Sequence, residues 1–262
     1  MKPKAIILKT DGINCDEEMQ FAFELAEGLS EIVHVNQIFS SEKKLSDYQI
    51  LGIPGGFSYG DDVMSGKILA NQLLYRIGDE LQSFVNSDKL VIGICNGFQV
   101  LVRTGLLPFG GKPAEEASLI VNSNAKFMSQ WEGLKVQESK CVFTKGLSGK
   151  TVEYPIAHGE GKFIVKNDSV FDSLKQNNQI VFTYTNNPNG SVADIAGICN
   201  ESGKILGLMP HPERYILKTQ YYNWRRISIP PADEGREAES RKGFNSPQGL
   251  PIFQNAVRYF TD

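Results

Sequence analysis

Val91-Ile92-Gly93-Ile94-Cys95-Asn96-Gly97-Phe98-Gln99 changes character in its middle. The apolar run 90–94 predicts a buried parallel strand. It stops at Cys95, and an amphipathic stretch, 98–104, follows at once. Strand, cysteine and helix, with Gly93 and Gly97 two residues to either side, is the logic of a nucleophile elbow with sulfur in place of a serine oxygen. Such a turn holds its central residue in a strained conformation, and a Cβ on either flank would clash. It also places the thiol at a helix N-terminus, where the dipole and free N–H groups favour the thiolate. Alone, the pattern is moderate evidence, because a cytosolic cysteine is commonly a small buried hydrophobe. It needs a base.

Outward from the elbow, strand-like and helix-like runs alternate. Strands are expected at 4–9, 32–37 and 48–53, and helices at 16–29 and 67–85. This order implies an α/β fold with a doubly wound, mostly parallel sheet and flanking helices, in which ligands bind at the carboxyl ends of the strands. The Pro54-Gly55-Gly56 turn, Cys95 and His211 all fall at such ends. More strand-like runs fill 118–206, including 179–184, and a short helix is expected at 170–175. Residues 252–260 read as a closing helix. The chain is expected to form a single domain over 1–262, with a C-terminal extension from 215 and a mobile loop at 230–243. Tyr221, Tyr222, Trp224, Arg225 and Arg226 are a mixture enriched at interfaces, or equally a group that packs on the domain itself.

Composition narrows the function classes. The 262 residues, 41% of them hydrophobic, suffice to bury a large core. A net charge of −3 argues against nonspecific nucleic-acid binding. No apolar run approaches the roughly 20 residues of a membrane span, and the N-terminus runs into a strand without signal-peptide architecture. Cys15, Cys95, Cys141 and Cys199 show no paired spacing, which excludes an obvious metal knuckle or CxxC motif and fits a reducing cytoplasm.

With three histidines the search for a base is short. His34 lies in an alternating run and reads as a strand-face residue. His211 ends the apolar run Ile205-Leu206-Gly207-Leu208-Met209 and is bracketed by Pro210 and Pro212, which restrict the backbone and aim it rigidly. Glu213, two residues on, lies on the same side if the segment is extended. A carboxylate orienting a histidine that activates a thiol is triad logic. The plainer reading, a loop histidine and a solvated glutamate, is preferred for this segment alone and gives way once Cys95 is considered.

Gly93-Ile94-Cys95-Asn96-Gly97-Phe98-Gln99 and His211-Pro212-Glu213 resemble the nucleophile elbow and His-x-Glu element of triad-type (class I) glutamine amidotransferases, whose fold is flavodoxin-like. Pro54-Gly55-Gly56-Phe57-Ser58-Tyr59-Gly60-Asp61, Pro155-Ile156-Ala157-His158-Gly159-Glu160-Gly161, and Asn187-Pro188-Asn189-Gly190-Ser191 running into Ile195-Ala196-Gly197-Ile198 narrow the resemblance. They are similar to the glutaminase subunits of phosphoribosylformylglycinamidine synthases of purine biosynthesis. Asp11-Gly12-Ile13-Asn14-Cys15-Asp16 departs from that family, which has a proline and a hydroxyl residue in this turn.

The resemblance implies Cys95 as nucleophile, His211 as proton shuttle and Glu213 as its orienting carboxylate. Elbow geometry makes the Asn96 N–H one oxyanion donor, and the resemblance adds the Gly55-Gly56 turn, with Gly56 as the second. Gly55, Gly56, Phe57, Gln99 and His158 are the expected glutamine contacts. Gln99 lies one helical turn from Cys95. His158 is open between the glutamine pocket, an ammonia exit and a structural loop. Cys15 is expected to be structural, because no histidine lies near it in sequence. No metal ligands are expected.

The chain has no phosphate-binding glycine loop, since the 55–60 stretch lacks the lysine such a loop needs. No cofactor is therefore expected in this chain. The resemblance implies ATP and magnesium on a large synthetase subunit that converts formylglycinamide ribonucleotide to formylglycinamidine ribonucleotide, and in some systems a small third subunit. Two other readings stand beside it. One is a glutaminase of a different synthetase, or a free-standing γ-glutamyl cysteine hydrolase. The other is a nonenzymatic binding module, which the presence of Cys95, His211 and Glu213 disfavours.

Overall fold

The computed structural model describes residues 2–110, 116–225 and 246–261. A nine-stranded sheet runs in the order β2-β1-β3-β4-β11-β10-β9-β6-β7. Its strands are β1 (Lys4–Lys9), β2 (Leu29–His34), β3 (Ile50–Ile53), β4 (Leu90–Ile94), β6 (Met128–Val136), β7 (Thr151–His158), β9 (Ile180–Tyr184), β10 (Ile195–Cys199) and β11 (Ile205–Leu208). Strands β2, β1, β3, β4 and β11 pair parallel. The remaining pairings are antiparallel. A second, two-stranded sheet joins β5 (Ala117–Ile120) to β8 (Lys162–Val165).

The two halves differ in sequence as they differ in burial. Strands β3 and β4 are continuously apolar and buried at every position, as strands covered on both faces must be. Strand β7 alternates, with Val152, Tyr154, Ile156 and His158 buried and the intervening residues partly or fully exposed.

The helices are α1 (Asp16–Leu25), α2 (Val35–Phe39), α3 (Lys67–Asn86), α4 (Asn96–Arg103), α5 (Asp168–Gln176) and α6 (Leu250–Arg258). The crossover β1-α1-β2 runs one way along the sheet and β3-α3-β4 the other. Right-handed crossovers therefore put α1 and α3 on opposite faces. Helix α1 packs with α6, and α3 with α4. The direction changes between β1 and β3, so the loops after these strands border a crevice. They meet there through an antiparallel bridge between Ile13 and Gly56.

Several boundaries differ from expectation. The first helix ends at Leu25, because Glu27 takes a positive φ of 68° and β2 begins pairing at Leu29. The second strand is displaced toward the N-terminus and stops at His34, not at 37. His34 closes β2, paired with Lys9 of β1, and also caps α2, its Nδ1 accepting the Asn36 N–H at 3.2 Å. Val35, Ile38 and Phe39 have helical spacing, and that periodicity overrides the alternation read across 32–37. The expected loop at 230–243 lies outside the described residues, as does Arg226. Tyr221 packs against Trp131 and Tyr215 at centroid distances of 5.0 and 5.2 Å, and its hydroxyl donates to Glu153 Oε2 at 2.6 Å. This part of the tail belongs to the domain, whereas Tyr222 is exposed. Among the described residues no helix is long and apolar enough to cross a membrane.

Candidate active site

Cys95 is the hinge between β4 and α4, with φ 53° and ψ −106°. Positive φ in a residue with a Cβ is strained. The surroundings enforce it. A Cβ on Gly97 would lie 1.9 Å from the Ile53 carbonyl oxygen, and one on Gly93 would lie 2.6 Å from that of Gly97. The Cys95 N–H is fixed by the Leu208 carbonyl at 2.8 Å. The elbow read from the sequence is thus present, with both glycines required by close approach. The thiol donates weakly to the Ala157 carbonyl at 3.6 Å.

His211 and Glu213 follow β11, the neighbour of β4. The segment is not extended: Pro212–Arg214 forms a single 3₁₀ turn. The turn still brings the pair together, with His211 Nδ1 2.6 Å from Glu213 Oε1. The His211 N–H donates to the Pro155 carbonyl at 2.9 Å, which ties this turn to β7. Both side chains are buried. With Nδ1–H committed to the carboxylate, Nε2 is the nitrogen available for a thiol proton. Among the described residues Nε2 has no hydrogen-bond partner. Burial opposes the imidazolium, but the Glu213 carboxylate and the Cys95 and Cys15 thiols outweigh it and hold the pKa well above the usual value.

The Gly55-Gly56 turn closes over this pair. A Cβ on Gly55 would lie 2.7 Å from His211 Cε1, 3.2 Å from Cys15 Sγ and 3.4 Å from Cys95 Cβ, so four expected or nearby site residues converge there. Gly56 has φ 136°, and a Cβ on it would meet the Gly12 carbonyl oxygen at 2.7 Å. Among the described residues, neither the Gly56 N–H nor the Asn96 N–H makes a backbone hydrogen bond. Both are free to serve as oxyanion donors.

The expected glutamine contacts are placed unevenly. Gln99 is buried, and its amide is engaged at both ends: Nε2 donates to the Glu160 carbonyl at 2.6 Å, and Oε1 accepts from Asn96 Nδ2 at 3.0 Å. It pins the loop after β7 to α4. Asn96 Nδ2 also donates to Asp61 at 3.1 Å, so the loop after β3 joins the same network. Burial raises the Asp61 pKa, partly offset by its bonds to Ser65, Gly66 and Asn96. Phe57 is half exposed and lies against Phe127, with centroids 6.2 Å apart. His158 is buried at the end of β7, directly after the carbonyl that receives the Cys95 thiol.

Cys15 has neighbours that its local sequence does not show. It lies far from any histidine in the chain, yet the fold carries it to His211. Its thiol donates to Asn14 Oδ1 at 3.2 Å, and its sulfur accepts from Arg214 Nη2 at 3.1 Å. Arg214 is held in turn by Glu18 of α1 at 3.2 Å. Burial pushes the Cys15 thiol up, against a smaller lowering by the neighbouring His211. One atom each of Cys15, His211 and Glu213 lie within 4.8 Å of one another, a metal-like grouping. The Arg214 guanidinium on the sulfur opposes a cation there, and Glu213 already occupies Nδ1. The arrangement is suited to moving a proton.

Comparisons with known proteins place the chain in a family. The CobB/CobQ-like glutamine amidotransferase domain matches residues 2–260. Phosphoribosylformylglycinamidine synthase subunit PurQ of Methanococcus maripaludis is 42% identical over 98% of this chain and 97% of its own length. The protein of the same name from Dehalococcoides mccartyi is 41% identical over 98% of each. Among solved structures, a chain of PurLQS from Thermotoga maritima superposes with a TM-score of 0.75 at 31% identity, covering 99% of this chain and 100% of that one. The chain belongs to the CobB/CobQ-like glutamine amidotransferase family.

Proposed function

We propose that this chain, as the glutaminase subunit of a phosphoribosylformylglycinamidine synthase, releases ammonia from L-glutamine through Cys95, His211 and Glu213. It delivers that ammonia to a separate synthetase subunit. The observation that carries the residue roles is the buried His211–Glu213 pair set beside the strained Cys95 elbow. The names and extent of the relatives support the pathway.

The steps follow from the groups present. Cys95 Sγ attacks the side-chain amide carbon while His211 Nε2 takes the thiol proton. The oxyanion is received by the N–H groups of Gly56 and Asn96, and removing one such donor typically costs about 2.7–4 kcal/mol in the barrier. His211 returns the proton to the amide nitrogen, the C–N bond breaks, and ammonia leaves a γ-glutamyl thioester. Water, deprotonated by His211, then releases glutamate and restores the thiol. Glu213 keeps the imidazole in the productive tautomer throughout.

The large partner binds ATP and magnesium and converts formylglycinamide ribonucleotide to formylglycinamidine ribonucleotide. A small third subunit completes the assembly. The test is glutamate release from L-glutamine by the chain alone, then with the synthetase subunit, ATP, magnesium and formylglycinamide ribonucleotide. A low basal rate that rises with the full mixture is expected. A rate indifferent to the mixture would remove the coupled-synthase reading.

A further inference from the structure

His158 holds a proton acceptor that nothing in the described structure satisfies. Its surroundings fix which nitrogen that is. Asn122 Nδ2 donates to the carbonyls of Lys126 and His158, each at 2.9 Å. Asn122 Oδ1 accepts the Gly161 N–H at 3.0 Å. Two carbonyls on one side and an N–H on the other leave the Asn122 amide only one orientation. The His158 Nδ1, 3.2 Å from Oδ1, must then carry the hydrogen and donate it. Nε2 is left as a bare lone pair. It is buried, on a side chain that is 3% exposed, and has no partner among the described residues. Gly161 packs so closely on one side of the ring that a Cβ there would lie 2.3 Å from it.

A buried acceptor without a donor is costly and calls for a ligand that brings one. Of the groups on glutamine, the α-carboxylate and the amide oxygen are themselves acceptors. The two nitrogens remain. The Ala157 carbonyl, one residue before His158, lies 3.6 Å from Cys95 Sγ, so this end of β7 borders the nucleophile. Burial, helped by the His211 charge, lowers the His158 pKa to about 4. The same His211 field opposes an ammonium at that spot, which leaves the neutral amide nitrogen.

We infer that His158 Nε2 accepts an N–H from the amide nitrogen that leaves glutamine and then holds the ammonia formed. His158 is a positioning residue for the leaving group, between His211, which gives that nitrogen a proton, and the exit. A ring that stays neutral at physiological pH supplies no further proton, so the product is held as ammonia. The inference rests on the glutaminase reading above.

The test compares two substrates on the full chain assembled with its synthetase: L-glutamine, and L-glutamate γ-methyl ester, whose leaving atom has no N–H. His158→Leu is expected to lower kcat/KM for glutamine by about 10- to 100-fold, the range of one lost buried hydrogen bond, and to change ester hydrolysis by less than about threefold. His158→Gln, which keeps an acceptor, restores most of the glutamine rate. Equal losses on both substrates, or none on either, overturn the proposal. If the wild type cleaves neither substrate, or Cys95→Ala still cleaves glutamine, it is the glutaminase reading that has failed. A second measurement does not need a His158 variant to fold. In ¹⁵N-labelled Cys95→Ala protein, the His158 Nε2 resonance is expected to be that of an unprotonated nitrogen and to move on adding glutamine but not the ester. A protonated Nε2, or a resonance that glutamine does not move, overturns the assignment.

Discussion

Two cysteines stand at strand-to-helix junctions beside the same imidazole, and only one is built to react. Cys95 caps α4 with φ 53°, squeezed between glycines that the packing requires, and its thiol has a single long contact to a carbonyl. Cys15 caps α1 with φ −109° and is tied by Asn14 on one side and Arg214 on the other. Both sit at a helix N-terminus, and both raise the proton affinity of His211. Helix position and a nearby histidine therefore do not make a nucleophile. Backbone strain that presents the sulfur, and freedom of that sulfur from other partners, do.

The largest expected effect tests that contrast directly. Cys95→Ala is expected to lower glutamine hydrolysis by about 10⁴-fold or more, whereas the complex still uses free ammonia. Cys15→Ala is expected to cost less than about tenfold. Comparable losses at the two positions in steady-state glutaminase assays would erase the distinction.

Next comes the shared imidazole. His211→Ala should approach the Cys95→Ala loss, and Glu213→Ala should lose about 10- to 100-fold less. Equal losses would argue that Glu213 does more than orient the ring. Glu213→Gln sharpens the point electrostatically. Removing the carboxylate that favours the imidazolium lets burial dominate, so the His211 pKa should fall, as followed by NMR titration.

The third prediction concerns the elbow itself. Gly97→Ala forces a methyl group to within 1.9 Å of the Ile53 carbonyl oxygen and should destabilise the fold by about 3 kcal/mol or more in urea unfolding. The smallest effect is on labelling. Iodoacetamide should modify Cys95 before Cys15, and Arg214→Leu should narrow the gap by removing a partner of the Cys15 sulfur. Faster labelling of Cys15 in the unaltered chain would reverse the ranking.

What the sequence made legible was local. The elbow needs nine consecutive residues, and His211 and Glu213 are separated by one proline. The parallel strands announce themselves because full burial writes unbroken apolar runs, as in β4. The surroundings of Cys15 were not legible, because His211 and Arg214 are almost two hundred residues away and no pattern near Cys15 records them. The second strand was carried past His34 because Val33 and Val35 alternate, whereas Val35 and Ile38 have the spacing of a helix. The pairing of Asn122 with His158 is likewise written only in three dimensions, since the hydrogen-bond sense of an imidazole depends on its neighbours in space. The position of Gln99 one turn beyond Cys95 was legible, but its engagement with Glu160 was not.

Strand β7 is the last in the sheet order, yet its Pro155 and Ala157 carbonyls bind His211 and Cys95 near the middle of that order. The antiparallel half must bend back over the parallel half for this to happen. During synthesis, the nucleophile and its elbow precede Ala157 by 62 residues, and the histidine follows later still. A nascent chain can thus shape its reactive thiol well before it owns a proton shuttle. Competence to hydrolyse glutamine arrives with the most sequence-distant contacts, which carry the greatest loop-closure cost and form late. Chemistry in this chain is therefore a report on completed folding.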